Sequence, residues 1–512
     1  MFRQLANLPL PAHIMLVLLV LATRIVVFLP DYILPQEALL WLCGQKLASG
    51  GKLYLSVWYA GPPIMPWLYA AFEGLLGEYS LVSLRIATCI YLYLTAAYFN
   101  GILIQNKFIE RKNFLPGILI IVFSATPWHG MELSAPLFSL LPITYAFHSI
   151  LRLTNEKGGN FLRLFTSGFV LMLVFLADYT LLMVVVGVII FYLSIRRPRT
   201  DELLTILIGM GLCGLLFGLV LFYQNSLSEF WRTGILTHFW FKLPEGEGLA
   251  FYSQRALTLT RTIGWVGLLI IAILGFIHFR VKYFTYTIMI RRVESAQALW
   301  LGCAFISYLI AGRNLQGDEF FLALLPLAGY TSKIWELSRN IRLRVATGGL
   351  LLLGPILTFA GVTGLVAPKD VPFISAETSK SMLFGDCFPD EQEQELITFF
   401  DDPFTISGVW ILGFKPEWHY WTKARSATRY TDFRASYQRI SYLSQVNREI
   451  PTSIKELDIR IFRQFKRDMP GLIIDPGSRF EKFKKRFPLL FSQFREMTVG
   501  GIPIYRREAK GP

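Results

Sequence analysis

The sequence predicts a mainly α-helical membrane protein. A bundle of about eleven membrane-crossing helices occupies residues 1–366, and an α/β domain outside the membrane occupies 367–512. Three observations carry this prediction. The chain of 512 residues is 53% hydrophobic and only 17% charged, against about 25% charged in a soluble domain. Its uncharged residues fall in runs near the ~20 that a crossing helix needs. Those runs end at about residue 366, where charge returns and short apolar pieces alternate with helical ones.

The first apolar run lies in MFRQLANLPLPAHIMLVLLVLATRIVVFLP. It lacks a small-residue cleavage site and reads as a retained span at about 13–29. Next comes PDYILPQEALLWLCGQKLASGGKLYLSVWYAGPP, from Pro30 to Pro63. It is half polar and carries Asp31 and Glu37 near its start. It belongs to a first loop over about 30–79, far longer than a connection between spans requires. Further spans are read at about 80–104, 114–127, 132–150, 161–177, 179–195, 202–223, 262–280, 297–312, 319–335 and 344–366.

Loop charges orient this layout. With the N-terminus inside, the inner loops are NKFIERKN, RLTNEKGGNFLR, SIRRPRTD, RVKYFTYTIMIRRVE and KIWELSRNIRLR, all rich in Lys and Arg. The outer segments TPWHGMEL and LADYT have no Lys or Arg. This positive-inside bias puts the first loop and the tail on the outer side. It also accounts for the 50 Lys and Arg against 36 acids. The implied partner of the excess positive charge is the bilayer, not nucleic acid.

The tail is different material. PDEQEQELITFF has a helical pattern with acids in its first turn. GVWILGF, PGLIIDPG and GIPIYRR are short apolar runs bounded by Gly and Pro and read as buried strands. SIKELDIRIFRQFKRD reads as an amphipathic helix. The tail also offers the surface left for protein partners. Its aromatic run FKPEWHYWTKARSATRY reads as a patch packed on the membrane face, with stacking on sugars as the alternative.

Five cysteines make no disulfide framework in a chain this long. Cys89, Cys213 and Cys303 sit in apolar runs and read as core, whereas Cys43 and Cys387 fall outside the spans. There is no metal-ligand spacing, so the sequence identifies no cofactor and leaves divalent-metal dependence open. No glycine-rich phosphate or dinucleotide motif is present.

Ionisable residues near a membrane are functional candidates, and here they gather at one level. Arg24, Arg85, Glu132, Asp178, Arg313, Asp318 and Glu319 all fall at the outer ends of spans, with Asp31 and Glu37 just above. Arg255 and Arg261 precede another span on the same side. Singly, each also reads as a snorkelling residue or as half of a structural ion pair. Together they suit a lipid-linked donor. Arginine forks bind phosphate, for which Arg85, Arg255, Arg261 and Arg313 are the candidates. A carboxylate takes a proton from the acceptor.

The pieces PQEALLW, QKLASGGKLY, YAGPPIMPWLYAAFEGLLGEYS and SLRIAT, with AGRNLQGDEFFLALLPLAG as a weaker match, resemble the membrane glycosyltransferases of the GT-C fold. The similar groups are the protein O-mannosyltransferases and the lipid A aminoarabinose transferase with their bacterial relatives. The resemblance covers most of the chain in plan and residues 30 to 90 in detail. It implies a GT-C-like bundle, a polyprenyl-phosphate sugar donor, and a catalytic acid in the first outer loop acting with inversion. It also implies a bacterial cytoplasmic (inner) membrane location within the cell envelope, with the N-terminus cytoplasmic and the C-terminal domain periplasmic. Carried to this sequence, Glu37 is the first choice for the base and Asp31 the second, with Glu132 and Asp178 orienting substrate. One departure stands out: the family's usual Asp-Glu pair is Gln36-Glu37 here, and Gln is no base. The competing expectation is therefore an inactive GT-C-like scaffold subunit of a membrane assembly. A transporter is disfavoured, since the charges lie at one surface and not at midplane.

Overall fold

Proline and glycine punctuate the apolar runs and set the helix boundaries in the computed structural model of the chain. It describes residues 2–29, 31–57, 61–125, 131–153, 160–195, 200–237, 288–310 and 318–337, apart from isolated positions. In the C-terminal part it describes 391–400, 408–411, 415–426, 469–475 and 492–508, with the same exception. The helices of the first part are α1 Phe2–Leu5, α2 Leu10–Arg24, α3 Pro35–Ala48, α4 Ile64–Leu76 and α5 Ser80–Gln105. They continue as α6 Leu115–Phe123, α7 Ala135–Leu153, α8 Phe161–Ala177, α9 Leu182–Ile195 and α10 Thr200–Tyr223. A short α11, Leu227–Glu229, runs into a π-helical segment Phe230–Thr237, and α12 Ile288–Ile310 and α13 Leu324–Leu337 follow.

Three stretches among the described residues are long and apolar enough to cross a membrane: Leu10–Phe28, Ile64–Gln105 and Thr200–Tyr223. The first and third are only 28% buried. What α10 leaves uncovered is Leu204, Leu207, Ile208, Leu215, Leu219 and Phe222, a face that water would penalise and lipid does not. Inside, Trp300 of α12 stacks on Phe147 of α7 at 4.9 Å, and Phe147 meets Phe191 of α9 at 5.5 Å. These contacts belong to one continuous core that runs from Leu8 to Tyr330.

Most expected spans coincide with helices. The span at 161–177 is α8 itself, capped by the Asn160 side chain on the Arg163 N–H. The span expected at 297–312 starts nine residues early, at Ile288. The charges of IMIRRVE predict part of an inner loop. Arg, Met and Glu are good helix formers, however, and Tyr330 of α13 donates to the Glu294 carbonyl at 2.9 Å, holding that turn. The span expected at 319–335 is a 3-10 turn Asp318–Ala323 followed by α13. The spans expected at 262–280 and 344–366, and the helix expected at SIKELDIRIFRQFKRD, lie outside the described residues.

Arg24 is completely buried and closes α6. Its guanidinium donates to the Ser124 carbonyl at 2.8 Å, the Ser124 hydroxyl at 2.7 Å and the Ile121 carbonyl at 3.3 Å. Those carbonyls lie at the negative end of a helix dipole, which a cation complements, and the Ser124 hydroxyl shares the Ile121 carbonyl at 2.9 Å.

In the C-terminal part, α14 Glu391–Phe400 and α15 Glu417–Trp421 accompany strands β1 Val409–Ile411, β2 Leu472–Ile474, β3 Phe494–Val499 and β4 Ile502–Arg507. The sheet order is β1-β2-β4-β3, with β1 and β2 parallel and the other pairs antiparallel. The three expected strand segments become β1, β2 and β4. The expectation lacked β3, although FREMTV before a Gly-Gly dipeptide is a hairpin signal. Gly500 and Gly501 have φ of 55° and 75°, the left-handed pair that a two-residue hairpin turn demands.

The sheet does not keep its core to itself. Val409, Ile411, Leu472, Ile474, Ile502, Ile504, Trp418 and Trp421 share one buried cluster with Ile33, Ala38 and Leu81 of the first loop and α5.

Candidate functional site

Pro35 fixes the entry to the site. The residue before a proline is driven to extended backbone, and Leu34 has φ −85° and ψ 145°. Pro35 then serves as the first helical residue of α3, where its missing N–H costs nothing. Glu37 falls in the first turn, at the positive end of the α3 dipole.

Four segments meet at one guanidinium. Arg85, in the second turn of α5, donates from Nε to Glu37 Oε1 at 2.9 Å and from Nη2 to Glu37 Oε2 at 2.7 Å. Nη2 also reaches the Tyr32 carbonyl at 2.7 Å, and Nη1 donates to the Val27 carbonyl. The Tyr32 ring lies 5.6 Å from the guanidinium carbon. Glu37 and Arg85 are only 2% and 3% exposed. This is a buried, two-pronged ion pair whose fork also ties down two backbone carbonyls. The first candidate base and the first candidate phosphate ligand are thus engaged with each other.

Asp31 is placed differently. Its side chain is exposed, while its backbone carbonyl accepts a bond from the Trp421 indole N–H at 2.9 Å. The next carbonyl, that of Tyr32, is held by Arg85. Asp31 therefore sits on a segment pinned from two sides, with its carboxylate turned outward.

Glu132 and Tyr69 join the same layer. Tyr69 on α4 is buried, and its hydroxyl has no hydrogen-bond partner. Glu37, Glu132 and Arg85 all act on it electrostatically, as does Tyr59. Close approach of α3 to α4 makes this arrangement. A Cβ at Gly44 would lie 2.9 Å from the Tyr69 backbone and Cβ, so only glycine lets the helices come this near. Tyr59 also acts on Tyr54, a buried loop residue at φ 67° whose hydroxyl donates to the Gly61 carbonyl at 2.8 Å. Burial first, then neighbouring Tyr179 and Tyr59, pushes the Tyr54 phenol well above the ordinary tyrosine range.

Asp178 sits at the far end of this tyrosine layer, beside Tyr179. Its Oδ1 accepts from the Thr180 N–H at 2.9 Å and hydroxyl at 2.8 Å, capping the turn Tyr179–Leu181. Arg255, Arg261 and Arg313 lie outside the described residues. Among the described residues, no group of three or more His, Cys, Asp or Glu could hold a metal ion.

The aromatic run of the tail matches neither of its two expectations. Trp418, His419 and Trp421 are buried, and α15 lies on α3 instead of on a membrane face. Tyr420 meets Trp41 edge-on at 5.5 Å, and Lys46 of α3 donates to the Ser426 hydroxyl at 3.1 Å. Burial pushes the Lys46 ammonium down to about 8. Tyr69 is the site residue that sequence reasoning missed; Tyr420 and Trp421 lie in the aromatic run it singled out, but their neighbours Trp41 and Asp31 were not foreseen. Nothing local marks them, since each is defined by a partner far away in the chain.

No protein-family model matches the chain, and no curated protein matches it. Among solved structures, ArnT from Cupriavidus metallidurans bound to undecaprenyl phosphate is similar over 98% of this chain and 99% of its own, at 12% identity and a TM-score of 0.54. The same protein in the apo state gives 97% and 99%, 11% identity and a TM-score of 0.53. The archaeal oligosaccharyltransferase AglB from Archaeoglobus fulgidus, in complex with an inhibitory peptide and a dolichol-phosphate, is a looser match. It covers 98% of this chain and 74% of its own, at 12% identity and a TM-score of 0.47. Over nearly its whole length the chain has the fold of ArnT, the GT-C fold of membrane glycosyltransferases.

Proposed function

We propose that the chain is a membrane glycosyltransferase that moves a sugar from a polyprenyl-phosphate-linked donor to an acceptor hydroxyl at the outer face. The observation that carries this reading is the Asp31 carboxylate, exposed on a segment whose carbonyls are pinned by Trp421 and Arg85. A base held in place by its surroundings needs no reorganisation when the acceptor arrives. Asp31 takes the acceptor proton, and the acceptor oxygen bonds to the anomeric carbon. The bond from that carbon to the donor phosphate oxygen breaks, the phosphate departs with the electron pair, and the configuration inverts. Glu37 and Arg85 serve as the brace that presents Asp31. Glu132 and Asp178 orient substrate from the tyrosine layer beside it. Donor phosphate falls to Arg255, Arg261 and Arg313.

The fold supports this reading, and so does the undecaprenyl phosphate held by the similar ArnT. The loop bias of Lys and Arg supports an N-terminus on the inner side and a C-terminal domain on the outer side; the resemblance to bacterial transferases makes these the cytoplasm and periplasm of a bacterial inner membrane.

A second reading has its own observation. Both Glu37 oxygens accept from Arg85, and Gln36 stands where the resembled family usually has Asp. That combination also fits a GT-C-like scaffold without catalysis. Sugar transfer by the purified protein in lipid nanodiscs, over a panel of polyprenyl-phosphate sugars, separates the two. The transferase reading expects turnover that vanishes in Asp31→Asn while the protein stays folded. No turnover and no donor binding across the panel establishes the scaffold.

A further inference from the structure

We infer that the contact between α12 and α13 holds an ordered water molecule, bound by the Gln297 amide and the Trp300 indole N–H. The inference is independent of the transferase reading, because it concerns the interior of the bundle and not the Asp31 segment. Gln297 of α12 is only 3% exposed, and Trp300, one turn on, 2%. Neither end of the Gln297 amide has a hydrogen-bond partner among the described residues, and neither has the Trp300 indole nitrogen. Residues three apart share a helix face, and long side chains on a helix lean back toward its N-terminus. The Trp300 ring therefore covers the turn that carries Gln297.

The facing helix closes the other side. Tyr330 of α13 donates to the Glu294 carbonyl at 2.9 Å, which fixes the register of the two helices and sets Gly329 against Gln297. A Cβ at Gly329 would overlap Gln297 Oε1 and lie 3.5 Å from Nε2, so the amide fills a notch that only glycine leaves. Amide and indole together offer N–H donors and a carbonyl acceptor. Such groups, buried without a partner, cost free energy that neither lipid nor an apolar core returns. The occupant has to accept from the N–H groups and donate to the carbonyl oxygen. A cation would be met by the N–H donors and an anion by the carbonyl lone pairs. A lipid chain has no hydrogen-bonding group. Water both donates and accepts, and about two to four polar partners are enough to hold it. The rest of the Trp300 environment is dry, since its ring stacks on Phe147 at 4.9 Å and meets Phe99 edge-on at 6.4 Å. In this arrangement α12 is joined to α5 and α7 by aromatic packing and to α13 through water.

The test is a cryo-EM map of the full chain in nanodiscs, at a resolution that shows ordered water, with thermal unfolding of the wild type and Gln297→Met in the same nanodiscs. Methionine is close to glutamine in length and volume and removes the amide. The expected map has one water-sized peak at hydrogen-bond distance, about 2.7–3.2 Å, from both the Gln297 amide and Trp300 Nε1. The expected midpoint of Gln297→Met lies below that of the wild type, because the variant gives up the bonds between amide and water. Two results overturn the inference. One is a map without such a peak, or with a larger ligand in its place. The other is a midpoint at or above that of the wild type, since a buried amide that lacks a partner is improved by an apolar replacement of its shape. Should Gln297→Met fail to fold, the map of the wild type still decides.

Discussion

Glu37→Gln is the perturbation that separates a brace from a base. The pair is buried, with N···O distances of 2.7 and 2.9 Å. Charge centres ~4 Å apart at an effective dielectric of ~20 attract by ~4 kcal/mol. Breaking a buried pair by removing one partner costs about 3–5 kcal/mol, which agrees. Glutamine still offers one acceptor to the fork, so the expected loss for Glu37→Gln is ~3 kcal/mol. Arg85→Met removes more, because the Val27 and Tyr32 carbonyls also lose their donor, at ~1 kcal/mol or more each. The double variant leaves no lone buried charge and should cost less than the sum by ~2 kcal/mol. Equilibrium unfolding of the four proteins in mixed micelles measures all three numbers. Stability of Glu37→Gln within ~0.5 kcal/mol of wild type, together with lost sugar transfer, would refute the brace and make Glu37 the reacting carboxylate.

Asp31→Asn, an exposed isosteric change, should leave stability within ~0.5 kcal/mol of wild type while abolishing transfer in the nanodisc assay. Gly44→Val places a side chain 2.9 Å from Tyr69 backbone and Cβ, so the unfolding free energy should fall by ~1–3 kcal/mol. Arg24→Met strips the buried cap from α6 and orphans the Ser124 carbonyl, while the Ile121 carbonyl keeps the Ser124 hydroxyl at 2.9 Å, so stability should fall by ~1–2 kcal/mol in the same measurement. His419 is buried, and desolvation pushes it down to about 4. The unfolded state, with an ordinary histidine near 6.5, therefore binds more protons between those values. The stabilisation is fully present above the unfolded value and is lost as pH falls toward 4, by about 2 kcal/mol between pH 7 and pH 5. Comparing the unfolding free energy of His419→Asn at the two pH values should show that increment missing.

What the sequence makes legible follows from what is local. The apolar run from Phe161 to Ala177 is bounded by Asn160 and Asp178, and both its ends can be read directly. The depth of Arg85, Glu132 and Asp178 follows from where apolar runs start. The partnership of Arg85 with Glu37 does not, because 48 residues separate them and depth says nothing about which of several acids at one level lies nearest. Tyr69 is harder still. It looks like an apolar position of α4, and only the notch at Gly44 brings it beside the carboxylates. The α15 aromatics are ambiguous in sequence because Trp and Tyr favour membrane interfaces and packed cores alike. Their true neighbours, Asp31 and Trp41, lie nearly four hundred residues away, as in the 390-residue separation of Trp421 from Asp31.

The cluster shared by Ile33, Ala38 and Ile504 also imposes an order on biogenesis. Its two halves are about 470 residues apart in the chain, so the first loop is made long before the sheet exists. At about 5–20 residues per second, the apolar side of α3 waits on the order of half a minute or more for its cover. The seam between loop and sheet is then the last part of the molecule to close. A ribosome stalled late, or a chain clipped in its tail, would leave the helical bundle with a sticky, uncovered loop, and that is the form a quality-control protease would meet first.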